Sequence, residues 1–185
     1  MNKQFIDIKL KSINFEQSLL SKNNWIVLLH KNRIPPHVGI IINGNYNSLT
    51  IKGQELNINF NVLLKTIHQK KIEASFIQLI KHPVFSINYQ LEILHYWITN
   101  YKSVSPNNAT CLTPIKSFLN EFYGLEIIKN ELLFELIIKL KNYNFIEHFM
   151  ELPSNNLTNT LQLPCYTFEA LQNIITNEVA LIKNK

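Results

Sequence analysis

Two side chains in this sequence, Cys111 and His37, are of the types that together perform nucleophilic catalysis. Cys111 follows a polar turn and precedes an apolar stripe with helical spacing, so the sequence predicts it at a helix start. Free backbone N–H groups and the helix dipole stabilise a thiolate there, and the same groups can stabilise an oxyanion. A neighbouring imidazole would take the thiol proton and later protonate the leaving group.

His37 opens a predicted β-hairpin whose return strand spans residues 46–51. The Asn-Gly pair at 43–44 favours a type I′ turn between the two strands. The return strand offers Ser48 and Thr50 as groups that could orient the imidazole, and it carries no acidic residue. Because a hydroxyl stabilises an imidazolium less well than a carboxylate does, the sequence leaves three outcomes open: weak catalysis, an unseen partner group, or lost activity.

The other predicted elements alternate between strand and helix. They are a strand at 25–29, a helix after Asn59, a strand at 72–80, a helix after Ser86, the Cys111 helix ended by Gly124, and a helix after Thr167. Residues 1–22 remain ambiguous between strand and helical turn. Residues 130–150 are predicted to be helical with a break at 142–144, and residues 153–164 are predicted to be a polar loop. This order favours an α+β fold in which a small antiparallel sheet packs on helices.

The sequence His-Val-Gly-Ile at 37–40, followed by a hairpin, a helix, a strand, a helix and the Cys111 helix, resembles the circularly permuted NlpC-type, papain-like superfamily. That group includes YiiX-like and lecithin:retinol acyltransferase-like proteins. The resemblance covers about residues 25–124. Two departures stand out: Thr110 occupies a position where many relatives have Asn, and the return strand lacks the His or Glu that many relatives carry.

The resemblance implies a permuted papain-like core at 25–124. Residues 125–185 have no counterpart in it, and their own pattern predicts an α-rich C-terminal extension within a single domain at 1–185. It implies a cysteine hydrolase or acyltransferase that acts on an amide, ester or thioester bond through an acyl-enzyme. Cys111 would be the nucleophile, His37 the base and then the acid, and Ser48 or Thr50 the orienting group. The alternative is a catalytically inactive papain-like domain that binds a partner.

The composition of the chain argues against nucleic-acid binding and against a membrane span. The 185 residues carry a net charge of +5 from scattered lysines, whereas nucleic-acid binders usually show a denser basic stripe. No apolar run is long enough to cross a membrane, and no secretory signal is evident, which predicts a cytoplasmic protein. Because disulfides are rare in cytoplasmic proteins, Cys165 is expected to be a free structural thiol.

Neither the two isolated cysteines nor the six histidines show metal-ligand spacing. We therefore expect no metal and no cofactor. The expected partner is a peptide, amide or acyl-ester substrate, with no nucleic acid, and the oligomeric state stays open.

Overall fold

The computed structural model describes residues 4–153 and 157–183. The strands of the described chain are β1 (Phe5–Lys9), β2 (Asn24–Leu29), β3 (His37–Ile42), β4 (Asn45–Thr50), β5 (Gly53–Asn59), β6 (Ala74–Leu79), β7 (Ile146–Leu152) and β8 (Thr160–Pro164). Its helices are α1 (Phe60–Gln69), α2 (Ile87–Thr99), α3 (Leu112–Tyr123), α4 (Leu133–Asn142) and α5 (Phe168–Lys183). A short 3-10 turn occupies Gln17–Ser21. The fold is therefore α+β, as the alternating pattern predicts.

The main sheet is antiparallel and has six strands in the order β5-β4-β3-β2-β6-β7. A separate ribbon pairs β1 with β8, also antiparallel. Strand β3 lies inside the main sheet, between β2 and β4. Its first residue, His37, pairs with Leu29 of β2, whereas pairing with β4 begins only at Gly39. Pairing with β2 therefore holds the start of β3 in place.

The sheet buries both faces. Alternate residues of β3 point to opposite sides: Val38 and Ile40 belong to an apolar cluster with α2, α3 and α4, whereas Ile41 belongs to a second cluster with α1. A third, smaller cluster joins Leu49 to α5 and to the segment that leads into α3. Helices therefore cover the sheet from both sides, and α3 packs on the face to which Val38 points.

Local signals in the sequence correctly place several element ends. Asn43 and Gly44 both have positive φ, 48° and 79°, as the type I′ turn requires. The Asn59 side chain accepts a hydrogen bond from the Asn61 amide at the start of α1, and Ser86 does the same for the Tyr89 amide in α2. Gly124, at φ 63°, ends α3 in the left-handed conformation.

Two predictions for the C-terminal third are wrong in part. Helix α4 ends at Asn142, where the sequence predicts a break, but residues 146–152 beyond the break form β7 at the edge of the main sheet, so the helical prediction for 130–150 holds only over the first part. The predicted loop at 153–164 contains β8, which pairs with β1. Residues 154–156 of that loop lie outside the described residues. Segment 125–185 thus contributes strands to two sheets as well as helices.

The outer edge of β7 is partly closed by the chain itself. The Ile13 amide donates to the Phe149 carbonyl at 3.0 Å, and the Phe149 amide donates to the Lys11 carbonyl at 2.9 Å. Ser12 and Phe149 form the parallel bridge between them. At the opposite edge, β5 carries a register shift against β4, and Asn57 within it has a positive φ of 54°.

None of the helices in the described ranges has both the length and the apolar character required to span a membrane.

Candidate functional site

Cys111 lies at the N-cap of α3, where the sequence predicts it. The preceding residue helps to close the first turn, since the Leu112 amide donates to Thr110 Oγ1 at 3.2 Å. In return, the Thr110 amide donates to Thr113 Oγ1 at 2.9 Å. Pro114 follows in the first turn, where its missing N–H costs no intrahelical hydrogen bond. This local network fixes the backbone that presents the thiol.

The Cys111 side chain is half-buried. Burial raises the pKa of the thiol, and hydrogen bonding from the backbone of Val38 opposes this rise. The backbone groups of Cys111 and Leu112 oppose it as well. A thiol with a raised pKa is neutral at pH 7, so Cys111 needs a base to become a nucleophile.

His37 is joined to a hydroxyl and, through it, to a carboxylate. His37 Nε2 lies 3.3 Å from Ser48 Oγ, and Ser48 Oγ donates to Glu55 Oε2 at 2.7 Å. Ser48 is fully buried, whereas Glu55, on β5, is exposed to solvent. The hydroxyl therefore connects a half-buried imidazole to a solvated acid.

The hydrogen-bond donors and acceptors of His37, Ser48 and Glu55 determine which tautomer His37 adopts. The carboxylate of Glu55 can only accept, so the single hydroxyl proton of Ser48 points to it. Ser48 Oγ must then accept from His37, which places the imidazole proton on Nε2. Nδ1 is left with the free lone pair and is the atom that could act as a base. Burial lowers the pKa of His37, while the charge of Glu55 opposes this shift.

Cys111 and His37 approach the same region from different faces of the sheet. His37 lies on the face of β3 shared with Ile41, and Cys111 packs against the clusters on the other face. β3 and β4 pair from the hairpin turn back to Gly39 and Ser48, where their pairing ends. Beyond that point the Thr50 carbonyl accepts from the Val104 amide, in the segment that leads into α3. Cys111 reaches the Val38 backbone at this opening of the sheet.

No hydrogen bond joins Cys111 to His37 within the part of the chain that the structure describes. Both side chains line one cavity of about 960 Å³, together with Glu55 on β5 and Glu178 on α5. A cavity of this size accommodates a small substrate or a peptide end. The arrangement thus brings a thiol, backbone N–H groups and an imidazole to one space.

Of the predicted orienting groups, the structure brings only Ser48 against His37. Thr50 Oγ1 instead donates to the Gly53 carbonyl at 2.9 Å and accepts from the Lys52 amide at 3.2 Å. Thr50 therefore stabilises the turn into β5. The prediction that Thr50 orients the imidazole has no contact to support it.

The ring of Tyr46 packs so closely against Gly39 that it leaves no room for a side chain at this position. A Cβ atom built at Gly39 would lie 2.6 Å from both Cζ and Oη of Tyr46. The ring covers this point of β3 and is fully buried, and burial raises the pKa of the phenol. The glycine of the His-x-Gly pattern thus lets a large side chain pack between β3 and α1.

Comparison with known protein families, with curated proteins and with solved structures found no match to this chain. Among the residues placed at 4–153 and 157–183, no group of three or more His, Cys, Asp or Glu side chains is arranged to hold a metal ion.

Sequence reasoning missed Glu55, the acid nearest to His37 through Ser48. The sequence predicts no strand at 53–59, because only Leu56 and Ile58 are apolar there. The available signal was the short connection at 51–52, which is typical of a third antiparallel strand. The cavity walls from residues 129–133 and from α5 were also missed, since they depend on tertiary packing.

Proposed function

We propose that this chain is a cysteine-nucleophile hydrolase or acyltransferase that acts on an amide, ester or thioester bond. The observation that carries the proposal is the shared cavity at the opening between β3 and β4, where the Cys111 thiol meets the Val38 backbone one residue from His37. The elements from His37 to Cys111 resemble the order of a permuted papain-like, NlpC-type fold, with the strand β5 added between the hairpin and α1. The relay from Ser48 to Glu55 supplies the acidic group that the return strand lacks.

In the proposed cycle, His37 Nδ1 takes the proton of the Cys111 thiol as sulfur attacks the substrate carbonyl carbon. The backbone amides beside the thiol stabilise the oxyanion of the tetrahedral intermediate. The imidazolium then returns its proton to the departing nitrogen, oxygen or sulfur, and an acyl-enzyme remains. Water or an acceptor alcohol or amine attacks this thioester, with His37 again as base. In this cycle Ser48 and Glu55 hold the Nε2 proton and stabilise the imidazolium.

One observation favours a second candidate, a papain-like domain that binds a partner without catalysis. Burial raises the pKa of Cys111, and its sulfur lacks a hydrogen bond to the imidazole in the described chain. A catalytic cysteine more often has a lowered pKa. Catalysis therefore requires Cys111 and His37 to approach each other within the cavity, whereas the binding domain needs no such change.

Rates of alkylation by iodoacetamide, a neutral reagent, separate the two candidates. We expect Cys111 to react at least tenfold faster than Cys165, and His37→Ala to suppress this difference. The matched control is His68→Ala, because His68 is an exposed histidine of α1 that does not line the cavity. Equal slow alkylation of both cysteines would favour the binding domain.

A second measurement tests the covalent intermediate directly. With p-nitrophenyl butyrate, intact-mass spectrometry should detect one acyl group on the protein, and Cys111→Ser should abolish the adduct. Cys165→Ser is the matched control and should retain it. An adduct confined to Cys165, or none at all, would refute the proposed acyl transfer.

A further inference from the structure

The cavity has a cationic end beside His37. Arg33 and Lys70 line the cavity there together with the imidazole of His30. Within the described residues, neither the Arg33 guanidinium nor the Lys70 ammonium takes part in a hydrogen bond or an ion pair. Two unpaired cations on the wall of one cavity provide a place for a negative charge.

Backbone contacts hold this end of the cavity next to His37. In the sheet, His37 pairs with Leu29, and His30 is the next residue along the chain. The Arg33 amide donates to the His30 carbonyl at 2.8 Å and closes the turn. The Lys31 amide donates to the Glu73 carbonyl at 3.3 Å, which ties this turn to the segment that follows α1 and carries Lys70.

The acids on the cavity wall form no ion pair with Arg33 or Lys70 in the described part of the chain. Glu55 accepts the Ser48 hydroxyl and keeps its negative charge, and Glu131 pairs with Lys139 at 2.7 Å. Glu178 lies on α5, on the side of Cys111. The cations also act on the neighbouring imidazole: burial lowers the pKa of His30, and the charges of Arg33 and Lys70 lower it further.

We propose that His30, Arg33 and Lys70 form a binding site for a single carboxylate of the substrate, next to the reacting centre. A guanidinium matches the planar, two-oxygen geometry of a carboxylate, and the lysine adds a second positive charge. The nearby charge of Glu55 suits a monoanion better than a group with two charges. The position of the acyl carbonyl at Cys111 rests on the proposed function. The carboxylate site itself rests only on the residues that line the cavity.

The test compares iodoacetate with iodoacetamide, two reagents of similar size that differ in charge. In both, the thiolate attacks the methylene carbon, a C–S bond forms and iodide leaves. In the full chain with Cys165→Ser, Cys111 is the one remaining cysteine. The rate ratio of iodoacetate to iodoacetamide should exceed the ratio for the same protein unfolded in urea. Arg33→Gln and Lys70→Gln should each lower the ratio by about threefold to tenfold, and added salt should lower it as well.

Lys65→Gln is the matched control, since Lys65 is an exposed lysine of α1 outside the cavity. Arg33→Lys keeps the charge and should retain most of the preference. A ratio equal to that of the unfolded chain, or one unaffected by Arg33→Gln and Lys70→Gln, overturns the site. If the protein prefers iodoacetate but Cys111 shows no enhanced reactivity, the proposed function fails and the carboxylate site stands. If Cys111 shows enhanced reactivity but no preference for iodoacetate, the carboxylate site fails and the proposed function stands.

A binding measurement applies even if Cys111 resists both reagents. Butyrate, a monocarboxylate, titrated at constant ionic strength, should shift the imidazole C–H resonances of His30 and His37. Butyramide, its neutral counterpart, should not shift them. The double variant Arg33→Gln/Lys70→Gln should lose the response, and a parent protein that responds equally to both compounds contradicts the inference.

Discussion

Replacing Gly39 with alanine should destabilise the protein through a steric clash alone. The φ of Gly39 lies outside the left-handed region, so alanine can adopt this backbone. The added Cβ would approach Cζ and Oη of Tyr46 to 2.6 Å, and the buried ring cannot move without displacing its neighbours in the α1 cluster. Overpacking of a core costs ~1–3 kcal/mol, and we expect a loss of about 3 kcal/mol because the contact involves a fully buried ring.

Urea unfolding followed by tryptophan fluorescence measures this loss, since Trp25 is buried in the same cluster. With a slope of about 2 kcal/mol/M, the midpoint should fall by about 1.5 M. Tyr46→Leu in the Gly39→Ala background should recover part of the loss, because it removes the clashing atoms. Gly124→Ala is the comparison: φ is 63° and nothing lies within 4 Å of its Cβ, so only the backbone cost of about 1 kcal/mol applies. Unfolding free energies for Gly39→Ala within about 0.5 kcal/mol of the parent would refute the reasoning.

Three further predictions concern the site. Glu55→Gln should lower the pKa of His37, because the carboxylate opposes the effect of burial; an imidazole NMR titration checks this, and an unchanged pKa would exclude the relay. The alkylation rate of Cys111 should rise with pH to a midpoint above that of the urea-unfolded chain, because burial raises the folded-state pKa and only the thiolate reacts; a midpoint at or below that of the unfolded chain would contradict this effect of burial. Ser48→Ala should change the rate at which iodoacetamide alkylates Cys111. Thr50→Val should leave that rate unchanged and lower the free energy of unfolding by about 1 kcal/mol, because it removes a turn hydrogen bond. Equal effects of the two variants on the rate would contradict the conclusion that Ser48, and not Thr50, orients His37.

The sequence was most informative where short-range chemistry decides the structure. The turn at 43–44 needs two residues that accept positive φ, and Asn-Gly supplies them. Asn59 and Ser86 cap their helices through contacts two or three residues away. The helix start at Cys111 follows from the polar turn before it and the apolar stripe after it. Each of these features depends on near neighbours in the chain.

The errors occur where partners are distant in the chain or the pattern is ambiguous. β8 exists because it pairs with β1, more than 150 residues away, and its own five residues carry a weak signal. β7 is an apolar run that periodicity alone does not distinguish from the continuation of α4. β5 is a polar edge strand, so Glu55 was overlooked. Whether Cys111 meets His37 depends on how α3 packs at the opening between β3 and β4, which no local pattern encodes.

The contact between residues 11–13 and β7 limits how the sheet can grow. An uncovered edge strand is a template on which another polypeptide can add a strand. Here the backbone N–H and C=O of Phe149, near the middle of that edge, are already taken by Lys11 and Ile13 of the same molecule. A strand from a second molecule would have to peel this segment away before pairing, and at the other border it would meet the irregular, polar β5. Both borders of the sheet therefore resist self-association through strand addition.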